Sequence, residues 1–186
     1  GIRGFLDGWD PETGKKLWRR YTTTGPGEKG YETWEPRDAY KTGGASTWIT
    51  GSYDPQLNLI YWSTGNPGPD YDGEVRKGDN LFSNSVLALD ADTGQRKWHF
   101  QFTPHDVNDL DSNQIPMLLD AEWKGKPRKL LLLANRNTFF YVLDRMTGEF
   151  LLAKNFAKQN WALSIGPTGR PVPNPATVPS EKGALV

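Results

Sequence analysis

Short apolar runs alternate with turn-forming clusters along this chain, and no stretch keeps a helical period. Ser85 to Leu89 and Phe139 to Leu143 read as strands, each closing on an Asp. Trp48 to Tyr53 and Leu59 to Thr64 predict a hairpin about a turn at Asp54-Pro55-Gln56-Leu57-Asn58. Leu118 to Trp123 and Lys129 to Ala134 predict a second, about Lys124-Gly125-Lys126-Pro127. From Gly166 to Val186, five prolines without periodicity predict a long surface loop or a cut end.

A repeat organises these units. Asp-x-x-Thr-Gly occurs at Asp10, Asp90 and Asp144, with Trp four residues after the Gly in two copies (Trp18, Trp98) and Leu152 in the third. The physics is a hairpin: Asp bonds the backbone amides ahead of it and Gly supplies the positive φ. The Trp or Leu on the returning strand is then free to pack between neighbouring sheets. Short antiparallel units with aromatic wedges predict a β-propeller. Successive repeats lie 80 and 54 residues apart, against about 40 to 50 for a plain blade. The excess falls in Thr24 to Gly44 and Asn66 to Asn80, and loops of that length are usually functional. A propeller hides its sheet edges by closing, so an arc of about three blades predicts a fragment.

Composition narrows the function. Lys and Arg number 22 and Asp and Glu 22, which gives no reason to expect nucleic acid as a partner. Two histidines and no cysteine exclude a thiolate metal site within this segment and argue against zinc. Neither a bilayer-spanning apolar run nor a Gly-x-Gly-x-x-Gly dinucleotide signature occurs. The conspicuous chemistry is the loop from His105 to Asp111, which holds three acids in seven residues. Asp109 and Asp111 share parity, so in a locally extended loop they point to the same side, where one can hold a cation while the other accepts a proton. Taken alone, the stretch reads equally as an acidic turn capping nearby amides.

Gly43-Gly44-Ala45-Ser46-Thr47-Trp48, Tyr53-Asp54-Pro55, Ser63-Thr64-Gly65-Asn66-Pro67, Gly78-Asp79-Asn80, Thr103-Pro104-His105-Asp106 and Ala134-Asn135-Arg136-Asn137 follow one another in order. In this the chain resembles the quinoprotein alcohol dehydrogenases, all-β, eight-bladed propellers that bind pyrroloquinoline quinone (PQQ) and a metal ion. The resemblance covers essentially the whole segment and corresponds to the middle third of a family member. It implies that Trp48 is the surface on which the quinone lies, that Ser46 is a cofactor-binding hydroxyl, and that Arg136 hydrogen-bonds the quinone oxygens. It further implies Asn66, Asp109 and Asp111 as metal ligands and Asp109 as the catalytic base. Asp111 matches the extra carboxylate that accompanies lanthanide use in one branch, which supports a lanthanide without excluding calcium.

The activity so implied is oxidation of a primary alcohol to the aldehyde by hydride transfer to PQQ. The implied partners are a small alcohol and a cytochrome c electron acceptor, the compartment is the periplasm, and a homodimer of the full protein is left open. The family's metal-binding Glu, cofactor-binding Arg and adjacent-cysteine disulfide are expected upstream of Gly1, and closing blades and any cytochrome domain downstream of Val186. With half of its pocket missing, the isolated segment is expected neither to bind PQQ tightly nor to turn over. Two departures bear on substrate: Asn108 stands where the family commonly has Trp, and Ser112 replaces Gly. They keep a membrane-bound sugar or polyol dehydrogenase as an alternative. A non-catalytic scaffold propeller is the other, although scaffolds lose the pocket residues retained here.

Overall fold

The computed structural model describes residues 1–180. Among them the structure is all-β, with twelve strands, short 3-10 turns and no α-helix. A two-stranded unit, β1 (Phe5–Trp9) and β2 (Lys16–Tyr21), is followed by two four-stranded antiparallel sheets. The first has the order β3 (Ser52–Asp54), β4 (Leu59–Ser63), β5 (Ser85–Asp90), β6 (Arg96–Gln101). The second comprises β7 (Met117–Trp123), β8 (Lys126–Ala134), β9 (Phe139–Asp144) and β10 (Phe150–Asn155), again paired in sequence order. A last hairpin joins β11 (Ala162–Ile165) to β12 (Pro171–Pro173). Two whole blades with a half at either end make about three, as the repeat predicts.

The repeats behave as their chemistry dictates. In each copy the Asp carboxylate accepts from backbone amides two or three residues on, and the Gly N–H returns to the Asp carbonyl at 2.8 Å. Gly14, Gly94 and Gly148 all have φ between 65° and 78°. The wedges cross to the next blade. Trp18 lies against Gly94 and donates from Nε1 to Ala91 O at 3.2 Å, and Trp98 does the same at Gly148 and Arg145 O. A Cβ at either glycine would sit 2.5 to 2.7 Å from an indole carbon. In the third copy the wedge is Phe150, packed on Gly169, and not Leu152. An irregularity in the β9–β10 register between Phe150 and Leu152 brings the aromatic ring to the blade interface.

Between the wedges the core follows strand parity. Leu87 and Leu89 of β5 pack with Leu6, Phe82 and Trp18 on one side. Val86 and Ala88 pack with Leu131, Leu133 and Tyr141 on the other. Asp54 and Arg145 tie the two complete blades with a buried ion pair, Nε to Oδ2 at 2.7 Å, and Tyr61 Oη donates to Arg145 O at 2.8 Å.

Two expectations fail. The strand foreseen from Trp48 shrinks to Ser52–Asp54, leaving 48–51 as loop. The proline-rich tail is ordered as far as 180: Gly169, at φ 85°, turns β11 into β12, whose two prolines occupy a short outer strand where no ladder N–H is needed. The excess residues of the long loops are packed as well. Trp34 is fully buried and donates from Nε1 to Leu81 O at 2.7 Å, pinning residues 24–44 to residues 64–84.

Candidate cofactor and metal site

The site is assembled from three loops. The first, residues 64–68, is backed by residues 44–46, where Gly44 (φ 69°) and Ala45 (φ 53°) bend the chain so that Ala45 N donates to Asn66 O at 2.9 Å and Gly65 N to Ser46 O at 2.8 Å. Ser46 and Asn66 thereby share the wall of one cleft of about 370 Å³, with Gly44, Gly68 and Asp70. Gly65 lacks the side chain that would fill the space behind them. A Cβ there would stand 2.5 Å from Asp111 Oδ1, 2.9 Å from Ser46 Oγ and 3.2 Å from Asn113 Oδ1.

The second loop is shaped by its first acid. Asp106 is buried, and its carboxylate accepts from Asn108 N at 2.9 Å, Leu110 N at 2.7 Å and Asn84 Nδ2 at 2.7 Å. Burial nonetheless leaves its pKa raised, in spite of those bonds. His105 only ties the loop to Gly78 O, at 2.9 Å. Both are loop structure. Asp109 then takes a left-handed φ of 57°, so the loop is not extended where the parity argument assumed it. The two carboxylates still reach one spot, brought there by the turn.

That spot is Arg136, in the third loop, between β8 and β9. Its Nη2 lies 3.4 Å from Asp109 Oδ2 and its Nη1 3.5 Å from Asp111 Oδ2. The loop is fixed beneath it by buried Asn137, which donates to Tyr141 Oη at 3.0 Å and to Thr103 Oγ1 at 3.2 Å. Asp111 Oδ1 accepts from Asn66 N at 2.9 Å, which links all three loops. Burial raises the Asp111 pKa above the carboxylate norm, and the charge of Asp109 adds to the rise, against the Asn66 amide and Arg136. Asn66 Nδ2 donates to Asp70 Oδ1 at 2.6 Å and to Pro67 O at 3.2 Å, turning the amide oxygen away from both.

Asn66, Asp109, Asp111 and Arg136 are therefore one cluster, with Ser46 directly behind it across Gly65. Trp48 is outside the hydrogen-bonded set. Its indole is 65% exposed, on a backbone held by Thr47, whose Oγ1 donates to Phe5 O at 2.7 Å. Sequence reasoning overlooked Asp70, which orients Asn66, and Gln114, which accepts from Arg136 N at 3.2 Å. Neither sits in a motif that would have singled it out.

Residues 1–155 match the family model described as PQQ: Glucose/ethanol/alcohol dehydrogenase, beta-propeller domain. The chain belongs to this family. Quinohemoprotein alcohol dehydrogenase ADH IIB of Pseudomonas putida is 43% identical over 200 residues, taking in 100% of this chain and 29% of the relative. Quinoprotein alcohol dehydrogenase PedH, also of Pseudomonas putida, is 42% identical over 99% of this chain and 33% of its own length. Among solved structures, the quinohemoprotein alcohol dehydrogenase of Comamonas testosteroni superposes with a TM-score of 0.92 at 39% identity, covering 98% of this chain and 29% of that one. A europium-containing methanol dehydrogenase gives 0.89 at 37%, over 95% and 34%. The chain thus spans about a third or less of the length of these relatives and forms part of a PQQ dehydrogenase propeller.

The donor chemistry fits the metal expected in such a propeller. Asn66 Oδ1 and the carboxylates of Asp109 and Asp111 are all oxygens, as a hard cation requires, and the burial and mutual repulsion of the acids favour a bound positive charge. The set is partial. Among the described residues no three His, Cys, Asp or Glu side chains converge on a metal position.

Proposed function

We propose that residues 1–186 are an incomplete quinoprotein propeller domain from a periplasmic PQQ-dependent alcohol dehydrogenase, and that the Asn66–Asp109–Asp111–Arg136 cluster is its part of the active site. The observation that carries this reading is the convergence of three separate loops, with Asp109 and Asp111 meeting the Arg136 guanidinium and Asn66 N bonded to Asp111. A scaffold propeller has no use for that arrangement.

When bound, PQQ supplies a two-electron acceptor for hydride and the cation a Lewis acid. The chain's own residues do the rest. Trp48 offers an exposed indole face for a planar ring to stack on, and Ser46 Oγ a hydroxyl for its polar edge. Asn66 Oδ1, Asp109 and Asp111 would hold the cation, with Asp111 supplying the additional negative oxygen that suits a trivalent ion. Arg136 keeps Oδ2 of Asp109 engaged and leaves Oδ1 to take the alcohol's hydroxyl proton. The same guanidinium, half exposed, is a fixed positive charge for the quinone oxygens. Asn108 brings no aromatic wall to the base, so methanol is not assumed as the substrate. Electrons leave to a cytochrome c.

The test is a dye-linked dehydrogenase assay on the whole protein, reconstituted with PQQ and either La³⁺ or Ca²⁺, over a panel of alcohols and sugars. Turnover of a primary alcohol is expected, and Asp111→Ala should abolish the La³⁺-dependent part. Full lanthanide activity in that variant would falsify the metal assignment. The 186-residue segment by itself should bind no PQQ tightly, and a stoichiometric titration would contradict the shared-pocket reading.

A further inference from the structure

Arg76 has no part in the chemistry above, yet it is fully buried and sits between two of the three loops. Its guanidinium donates to Pro69 O at 2.9 Å, Asp70 O at 3.0 Å, Asp106 O at 2.6 Å and Asn80 Oδ1 at 2.9 Å. Asn80 Nδ2 returns a bond to Arg76 O at 2.7 Å. Every acceptor is neutral, and among the described residues no carboxylate lies in ion-pair range of this guanidinium. A buried cation with no carboxylate in direct contact is costly, and the charges of Asp106, Asp70 and Asp72 offset its burial only in part. Filling the same space with an apolar side chain would avoid that cost, so the arginine is explained by what its planar fork can reach at once. It reaches two loops. Asp70 takes Arg76 on its backbone oxygen and Asn66 Nδ2 on its carboxylate. Asp106 takes Arg76 on its backbone oxygen and the Asn108 and Leu110 amides on its carboxylate, on either side of Asp109.

We propose that Arg76 is a positioning residue that clamps the Asn66 loop to the Asp109–Asp111 loop and sets the spacing of their oxygens around a cation. It acts through Asp70 and Asp106 and touches neither substrate nor cofactor. The inference rests on the functional reading above for the identity of the cation, and on the hydrogen bonds alone for the clamp.

Arg76→Lys keeps the charge and loses the fork, while Arg76→Gln loses both. In the whole protein freed of metal, titrated calorimetrically with La³⁺ alone, both should bind about 10- to 100-fold more weakly, the usual effect of losing an outer-shell support. Arg145→Lys, altering a buried arginine at the blade interface, controls for general destabilisation and should leave La³⁺ affinity unchanged. Hydrogen exchange should accelerate in residues 66–72 and 105–113 and stay unchanged in β8. Wild-type La³⁺ affinity in Arg76→Lys, or exchange that rises evenly through both blades, overturns the proposal. If the unaltered protein binds no La³⁺, the metal reading fails by itself. The exchange pattern then decides the clamp, upholding it when confined to the two loops and refuting it when uniform. Should the arginine variants not fold, Asn80→Gly removes one acceptor while keeping the left-handed backbone of that position (φ 57°), and its outcomes are judged in the same way.

Discussion

Gly65→Ala adds one methyl group at the point where three oxygens converge. Gly65 does not use the left-handed backbone that favours glycine, so the consequence comes from the methyl itself. Ordinary contact begins near 3.4 Å, and the new carbon would stand 2.5 Å from Asp111 Oδ1, so the carboxylate must retreat by about 0.9 Å (3.4 less 2.5). That movement is enough to break its 2.9 Å bond from Asn66 N, a hydrogen bond to a charged group worth about 1.5–3 kcal/mol. Displacing a site group by about 1 Å commonly costs on the order of 100-fold in rate. In the whole protein, denaturant unfolding should therefore report a loss of about 1.5–3 kcal/mol, and La³⁺-dependent turnover in the dye-linked assay should fall about 100-fold. Wild-type turnover with wild-type La³⁺ affinity would show that Asp111 need not sit where Gly65 allows it, and the account of the site would be wrong.

Two further outcomes follow from the same geometry. Arg136→Gln removes the cation that competes for Asp109 and Asp111, so La³⁺ should bind a few-fold more tightly, since a half-exposed ion pair is worth up to about 1 kcal/mol, while turnover drops. Weaker binding by calorimetry would mean that Arg136 and the metal do not share those carboxylates. At the blade interface, burial alone would raise the Asp54 carboxyl, but Arg145 and the Leu57 and Gln56 amides outweigh it and hold the pKa below 3.8. A depressed carboxyl stabilises the fold above its unfolded value and loses that contribution as pH falls through the folded one. Asp54→Asn should accordingly lower stability at pH 7 and flatten its decline below about pH 4, measured by thermal unfolding across that range; a decline as steep as before would remove Asp54 from the account.

The sequence disclosed what is settled by local chemistry. Asp10, Asp90 and Asp144 form their turns because an Asp carboxylate and a Gly four residues later need no distant partner. The wedge of the third repeat was misplaced for the converse reason, since a register irregularity between Phe150 and Leu152 cannot be counted from spacing. Trp48 was assigned to a strand on composition, but the ladder with β4 reaches back only to Ser52. The tail was assigned to a loop because of its prolines, yet Pro171 and Pro173 occupy a two-stranded hairpin with free outer edges. In the site, Asn66, Asp109, Asp111 and Arg136 were legible through their flanking motifs. Arg76 was not. Its acceptors are mainly backbone carbonyls, which leave no trace in residue identity.

The acidic loop holds acids of two kinds. An acid that merely caps a turn accepts neighbouring amides and is content there, and Asp106 does this completely. With the turn already closed, Asp109 and Asp111 are surplus to the loop's own needs. Asp109 caps no amide among the described residues, and Asp111 reaches across to a different loop at Asn66. Burial, with the charge of Asp109 adding to it, raises the Asp111 pKa, and the half-exposed Arg136 guanidinium, 3.4 and 3.5 Å from the two carboxylates, offsets that rise only in part. The left-handed φ at Asp109 is uncommon outside glycine, although aspartate adopts it more readily than most residues. On the reading proposed above, these two carboxylates are oxygen donors for a cation, a role that capping the turn does not require of them.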